Sequence, residues 1–378
     1  MLTEELKNII AQFQLCGKVE HIEKFGSGNI NDTYCSVMHG SSPVSYIHQK
    51  INKTVFPYPK KVMENMALVT NHIQKKLRQE YAESQPARRA TLQLIPTKEG
   101  LPYYVDSQGE YWRTTVFIPD ALTYDVVQNL EHAYEVGRIL GEFQRLVTDI
   151  PPEQLHDTLP GFHHTPVYYN HFLHSLETIH PDPAIDARKQ EPDAVELIQK
   201  IQQHESLVPL LMEAYNSGIL RGRIVHNDPK INNILIDTQT HKGICIIDLD
   251  TVKGGPIHFD YGDCLRSAAN PAGEETRDTR HVSFDLKIFE WITRGYLEEA
   301  QAFLSGTDLD YLVDSIKVLI FESVIRFFTD YLRGDVYFKI SYPTQNLNRT
   351  KVQIVLLEDI ERKEAKVREI MRTLIREA

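Results

Sequence analysis

Residues 224–252, IVHNDPKINNILIDTQTHKGICIIDLDTV, constrain the chain more than any other stretch. Three short apolar runs, at 224–225, 234–236 and 244–247, alternate with polar groups. His226, Asn227, Asp228, Lys230, Asn232 and Asn233 follow the first run, a turn from Asp237 to Gly243 follows the second, and Asp248, Leu249 and Asp250 end the third. Runs this short, rich in β-branched residues and bounded by turn formers, predict strands rather than helices. The acidic groups therefore fall at strand ends, where loops expose them. A hairpin built this way presents two acidic sites.

The spacing suits phosphoryl transfer, which needs few covalent partners but several placed charges: a carboxylate to orient the attacking hydroxyl, oxygen ligands for Mg²⁺, and a cation near the moving phosphoryl group. Asp228 fits the first role, Asn233 and Asp248 the second, and Lys230 the third. In HNDPKINN an Asp follows the His by two positions and an Asn follows that Asp by five, the order of a kinase catalytic loop. Taken singly, each of these residues reads as readily as an Asx turn or a solvated strand end. The ordered set, flanked by apolar strands, favours the catalytic reading.

Length and charge narrow the rest. A chain of 378 residues has room for two domains. A formal net charge of −11, with no clustered basic footprint, speaks against nucleic acid as a partner. Cys16, Cys35, Cys245 and Cys264 are scattered without metal-ligand spacing, as expected of reduced thiols in a cytoplasmic protein. The N-terminal MLTEELKNIIAQF lacks the basic start and apolar core of a secretory signal. In the most apolar segment, VLIFESVIRFF, Glu322 and Arg326 interrupt any membrane span, so no membrane association is expected.

Read in order, 3–15 predicts a short helix and is followed by three antiparallel strands, VEHIEKF, TYCSVMH and VSYIHQKIN, with GSGNIND joining the first two. Gly26 and Gly28 would let backbone amides approach phosphate oxygens, with Ser27 and Asn29 adding donors. A kinase-like sheet places a Lys on its third strand; here alternation puts Gln49 and Lys50 on opposite faces, so only one of them can face a nucleotide. Helical spacing follows over 60–80, where Glu64 reads either as a partner for a strand Lys or as part of a solvated face. Strands are expected at 91–95, 102–106 and 111–118. FIPDALTYD then marks a hinge, and helices follow near 125–149, 167–180 and 193–217.

His156, His163, His164, His171, His174 and His180 do not repeat a ligand motif and read as unligated surface residues. Asp260 and Asp263 lie early in a helix after the hairpin, where Asp260 is expected to serve backbone amides and brace the catalytic loop. Three helices, at 281–304, 308–333 and 345–376, complete the chain. Arg326, set in an apolar helix, either pairs with a structural carboxylate or contacts substrate.

The motifs GSGNINDTY, INKTVFP, HNDPKINNILID, IIDLDT, FDYGD, RFFTDYLRGDVYF and YPTQNLNRTKVQI give nearly the whole chain a family likeness. It resembles the aminoglycoside phosphotransferase and choline kinase group of protein-kinase-like enzymes and, through INKTVFP and RFFTDYLRGDVYF, the N-acetylhexosamine 1-kinases within that group. The resemblance implies that Asp228 accepts the proton of the sugar's anomeric hydroxyl and that Asn233 and Asp248 hold Mg²⁺ on the ATP phosphates. It also implies that Lys230 sits near the γ-phosphate and that Thr251, Arg326 and Tyr337 line the sugar pocket. At Gln49 the chain departs from the usual strand Lys.

The expected fold is α+β and two-lobed: an antiparallel nucleotide-binding lobe over 1–117, a hinge over 118–124, and a larger, mainly helical catalytic and substrate-binding lobe over 125–378. The expected activity is ATP-dependent phosphorylation of a hexosamine, an N-acetylhexosamine at its anomeric hydroxyl, by direct in-line transfer. The alternatives are the same chemistry on an aminoglycoside, choline or homoserine type of alcohol, and a nucleotide-binding protein without turnover.

Overall fold

The computed structural model describes residues 4–26, 30–39, 44–81 and 89–377. The chain divides into two compact units. The first comprises the described residues up to Leu122 together with Asp149–Pro160 and Leu235–Gly254; the second comprises Thr123–Thr148, Gly161–Ile234 and the described residues from Gly255 onward.

In the first unit, β1 (Val19–Lys24), β2 (Asp32–Met38), β3 (Ser45–Lys50), β4 (Tyr104–Val105) and β5 (Tyr111–Val116) form an antiparallel sheet in the order β1-β2-β3-β5-β4. Opposite residues share a face of such a sheet, and the register places Gln49 against Thr33 on one side and Arg113 on the other. Leu6, Ile9, Ile10 and Phe13 pack with Ile22 and Trp112 as one apolar cluster. The first helix stops at Ile10, short of the expected 15, because Phe13 leaves the helical path to bridge Thr97. Residues 91–95 are not a regular strand. Leu94 makes an isolated bridge to Thr115, and Pro96, which has no N–H to give, ends the pairing.

The helix Pro59–Tyr81 lies in the same unit. A second, three-stranded sheet there is formed by β6 (Ala121–Leu122), β8 (Ile234–Asp237) and β9 (Gly243–Ile246), with β7 (Arg223–Val225) belonging to the other unit.

The second unit is helical around Gly306–Leu332, whose residues are buried on nearly every side. It packs against Gln345–Glu377, His258–Ala268 and Thr165–Glu177. A separate pair, Leu130–Val147 and Leu286–Ala300, crosses so closely that a Cβ on Gly137 would lie 1.8 Å from the Ile292 carbonyl oxygen. Only glycine fits there. The single helix expected over 193–217 is two, Pro192–Gln203 and Leu210–Asn216, since Pro209 lacks the N–H that a continuous helix would need. Among the described residues, no helix is long and apolar enough to cross a membrane.

Candidate active site

The strand β7 delivers the chain into the loop His226–Asn233, and the loop is held from behind. Asp260, on the helix His258–Ala268, accepts hydrogen bonds from the backbone N–H of His226 (2.9 Å) and of Asn227 (2.7 Å) and from Gln144 Nε2 (3.1 Å). Burial raises the pKa of its carboxyl, while the His226 ring and these donors oppose the rise. This is the bracing role expected of Asp260.

Asn227 adopts a left-handed conformation, φ +67°, which Asn takes more readily than most residues with a side chain. Its carbonyl accepts from His163 Nε2 at 2.7 Å, and His163 Nδ1 lies 2.8 Å from Glu322 Oε1. The carbonyl can only accept, so Nε2 carries a proton; the other ring nitrogen then shares a second proton with Glu322. Burial works against an imidazolium here, but the Glu322 carboxylate outweighs it and raises the His163 pKa. Glu322 is held correspondingly low, burial being overcome by the facing His163. Thr165 Oγ1 donates to the second Glu322 oxygen at 2.9 Å. The surface reading of His163 is therefore corrected. It is 2% exposed and props the loop from inside the helical unit.

Within the loop, three of the expected site residues come together. Asn233 Nδ2 donates to the Asp228 carbonyl at 2.8 Å and to Asp228 Oδ2 at 3.2 Å, and Lys230 Nζ lies 3.0 Å from Asp228 Oδ2. Because the amide nitrogen of Asn233 is spent on Asp228, its carbonyl oxygen is the group left to face a cation. Among the described residues no donor reaches that oxygen.

Arg326 and Tyr337 belong to the same unit. The Arg326 guanidinium stands over three rings, Phe162 at 4.9 Å, Tyr168 at 5.1 Å and Phe338 at 5.6 Å, with Glu322 no nearer than 4.0 Å. Burial opposes its charge, yet Tyr168, Tyr337, Glu322 and Asp263 together raise its pKa. Among the described residues its N–H groups make no hydrogen bond, so it is a fixed cation with donors to offer. Tyr337, 55% exposed, sits on a turn shaped by Asp330, whose carboxylate accepts from the backbone N–H of Val336 (3.0 Å), Tyr337 (2.8 Å) and Phe338 (2.9 Å).

The first unit carries the remaining expected residues. Gly26 has φ +71° and open space where a side chain would be; Ser27, Gly28 and Asn29 lie outside the described residues. Lys50 pairs with Asp32 at 3.1 Å, whereas Glu64 pairs with Lys60 at 3.8 Å and His156 at 2.9 Å. Glu64 is thus not the partner of a strand Lys. Gln49 donates from Nε2 to Thr33 Oγ1 (3.2 Å) and accepts from Arg113 Nε (2.9 Å). Asp248 has φ +66° and leads into the short 3₁₀ turn Leu249–Thr251, in which Thr251 is buried. Arg113, Asp250, His163 and Glu322 escaped the sequence-based expectations, although a charged residue within the strand YWRTTV and the doubled acid of DLD were visible signals.

Residues 61–292 match the family model described as the APH phosphotransferase enzyme family, more than half of the chain. The chain belongs to this family. The phosphotransferase is also similar in structure to the microcompartment-associated aminopropanol kinase, with a TM-score of 0.62 and 13% identity over 96% of this chain and 97% of that one. The spectinomycin phosphotransferase in complex with ADP and spectinomycin gives a TM-score of 0.56 at 11% identity, over 94% and 98% of the two chains. A choline/ethanolamine kinase family protein from Mesorhizobium loti gives 0.55 at 14% identity over 100% of both. At these identities the likeness is one of fold, and the phosphotransferase has the kinase-like α+β fold.

Proposed function

We propose that this phosphotransferase moves the γ-phosphoryl group of ATP to a hydroxyl of a small molecule, and that the acceptor is an N-acetylhexosamine phosphorylated at its anomeric hydroxyl. The observation that carries the reading is the Asp228, Lys230 and Asn233 cluster. Asp228 orients the acceptor O–H and takes its proton as the oxygen attacks phosphorus, and ADP departs with the electrons of the broken P–O bond. Lys230 stabilises charge on the transferring group. Asn233 fixes the Asp228 side chain through its amide nitrogen. In this reading the lobe over 1–117 serves the nucleotide through residues 26–29 and Gln49 or Lys50.

Asn233 and Asp248 are the proposed oxygen donors to Mg²⁺. The donor chemistry fits, since an amide carbonyl oxygen and a carboxylate are hard ligands, and magnesium is commonly bound through one or two protein oxygens plus substrate phosphates. Among the described residues no cluster of three or more His, Cys, Asp or Glu forms a metal cage, and such a site needs none. When bound, the ion neutralises charge on the phosphates.

On the acceptor side, Arg326 and Tyr337 are the proposed sugar contacts, with Thr251. A guanidinium stacked among aromatic rings favours neutral hydroxyl or N-acetyl oxygens and disfavours a cationic acceptor such as choline. The motifs INKTVFP and RFFTDYLRGDVYF support the same choice. A second reading, transfer to another small alcohol, is supported by the aminopropanol and spectinomycin named for the structural neighbours. An ATP-consumption screen across hexoses, N-acetylhexosamines, aminoglycosides and amino alcohols, with the phosphorylated position read by phosphorus NMR, decides between them. Turnover with an N-acetylhexosamine giving an anomeric phosphate is the expected result. Exclusive turnover of an amino alcohol or aminoglycoside would overturn the sugar assignment.

A further inference from the structure

Kinase-like sheets carry a phosphate-side Lys on the third strand, where this chain has Gln49. Directly across the pairing, on β5, stands Arg113. Its residue is 2% exposed, and two of its nitrogens are committed: Nε donates to Gln49 Oε1 at 2.9 Å, and Nη1 donates to the Asp250 carboxylate. The other Asp250 oxygen accepts from Asn31 Nδ2 at 2.7 Å. Asn31 in turn receives the backbone N–H of Asn52 at 2.9 Å. Both Asp250 oxygens are thus engaged within the protein.

The anchoring extends along the turn that follows Asp248. Thr158 Oγ1 donates to the Asp250 carbonyl at 3.1 Å, and Asn65 Nδ2 donates to the Val252 carbonyl at 2.9 Å. Asp248, at φ +66°, begins this turn in a conformation that costs energy for a residue with a side chain. Such a conformation persists only where the surroundings over-determine it, and Arg113, Asn31, Thr158 and Asn65 hold the residues that follow it, Asp250 and Val252.

We propose that Arg113 and Asp250 are positioning residues of the nucleotide site: Arg113, on β5 across from Gln49, acts through Asp250 to clamp the turn that sets the Asp248 carboxylate for Mg²⁺. The proposal rests on the reading of Asp248 as a Mg²⁺ ligand. Partners that orient a ligand in this way commonly govern metal affinity nearly as strongly as the ligand does.

Removing one member of a buried ion pair strands the other, so the test uses charge-neutral changes. Full-length wild type, Asp248→Ala, Asn31→Ala and the paired Arg113→Gln/Asp250→Asn variant are titrated calorimetrically with ADP, once in MgCl₂ and once in EDTA. The measured quantity is the ratio of the two affinities, a readout that general loss of packing does not move selectively. The paired variant is expected to lose about tenfold or more of the Mg²⁺-dependent gain, and Asn31→Ala a smaller part, with affinity in EDTA close to wild type. A paired variant that keeps the wild-type ratio while Asp248→Ala loses it overturns the proposal and leaves the ligand assignment standing. An unchanged ratio in Asp248→Ala overturns both. Should the paired variant melt below the assay temperature, Asn31→Ala decides alone, and a wild-type ratio there counts against the clamp.

Discussion

The amide nitrogen of Asn233 is bound at once to the backbone carbonyl and the carboxylate of Asp228, at 2.8 and 3.2 Å, so the two residues form one rigid unit. The consequence is testable. Asn233→Ala frees the Asp228 side chain and removes an oxygen donor, and turnover should fall on the order of a hundredfold, as for other lost positioning groups. ADP affinity in EDTA should stay near wild type. Steady-state kinetics with calorimetry checks this, and undiminished turnover contradicts it.

Arg326 should act on the acceptor and not on the nucleotide. Arg326→Ala is expected to raise the acceptor KM by roughly tenfold or more, since it removes fixed donors, while the KM for ATP changes little. Glu322 keeps His163 and Thr165 as partners in this variant, so the fold should hold. An Arg326→Ala enzyme with wild-type kinetics and an early melt would make the residue architectural.

The buried His163 and Glu322 pair should be more costly to break than to neutralise. Glu322→Leu leaves His163 without its counter-ion and is expected to cost ~3 kcal/mol of stability. In Glu322→Gln the amide can still donate to His163 Nδ1 and accept from Thr165, so the loss should be smaller, about 1 kcal/mol. Urea denaturation of both variants measures the difference. Equal losses would show that the hydrogen-bond chain to the Asn227 carbonyl carries no weight.

Two other buried histidines predict acid sensitivity. Burial lowers the pKa of His48 and of His258 to about 4, and both are almost wholly inaccessible. Each is neutral when folded but titrates near 6.5 when unfolded, so protonation favours the unfolded chain. Their contribution is fully present above pH 6.5 and is lost as pH falls toward 4, by ~3 kcal/mol each. Stability measured at pH 7 and pH 4.5 should therefore drop in the wild type and drop less in His48→Gln. Equal acid losses in the two proteins would contradict the neutral, buried state of His48.

What was legible in the chain was local. HNDPKINN is set within eight residues, and its spacing marked Asp228, Lys230 and Asn233 as candidate site residues. The three antiparallel strands after Gly17 followed from alternation and turn residues. Pairings across long separations were not legible. Asp250 lies 137 residues from Arg113, and Glu322 lies 159 from His163. Periodicity constrains which face a residue takes, but not which distant charge it finds. The same limit explains the histidines. Spacing without a ligand motif suggested a surface set, whereas the His163 imidazole is buried between the Glu322 carboxylate and the Asn227 carbonyl.

The most direct test of the account is Asp228→Asn, which keeps the shape of the side chain and removes the charge that orients the hydroxyl. The account predicts that turnover falls by about a hundredfold or more while the variant still binds ADP with near wild-type affinity and still shows the Mg²⁺-dependent gain. A variant that transfers phosphoryl groups at close to the wild-type rate would contradict the assignment of Asp228 as the proton acceptor.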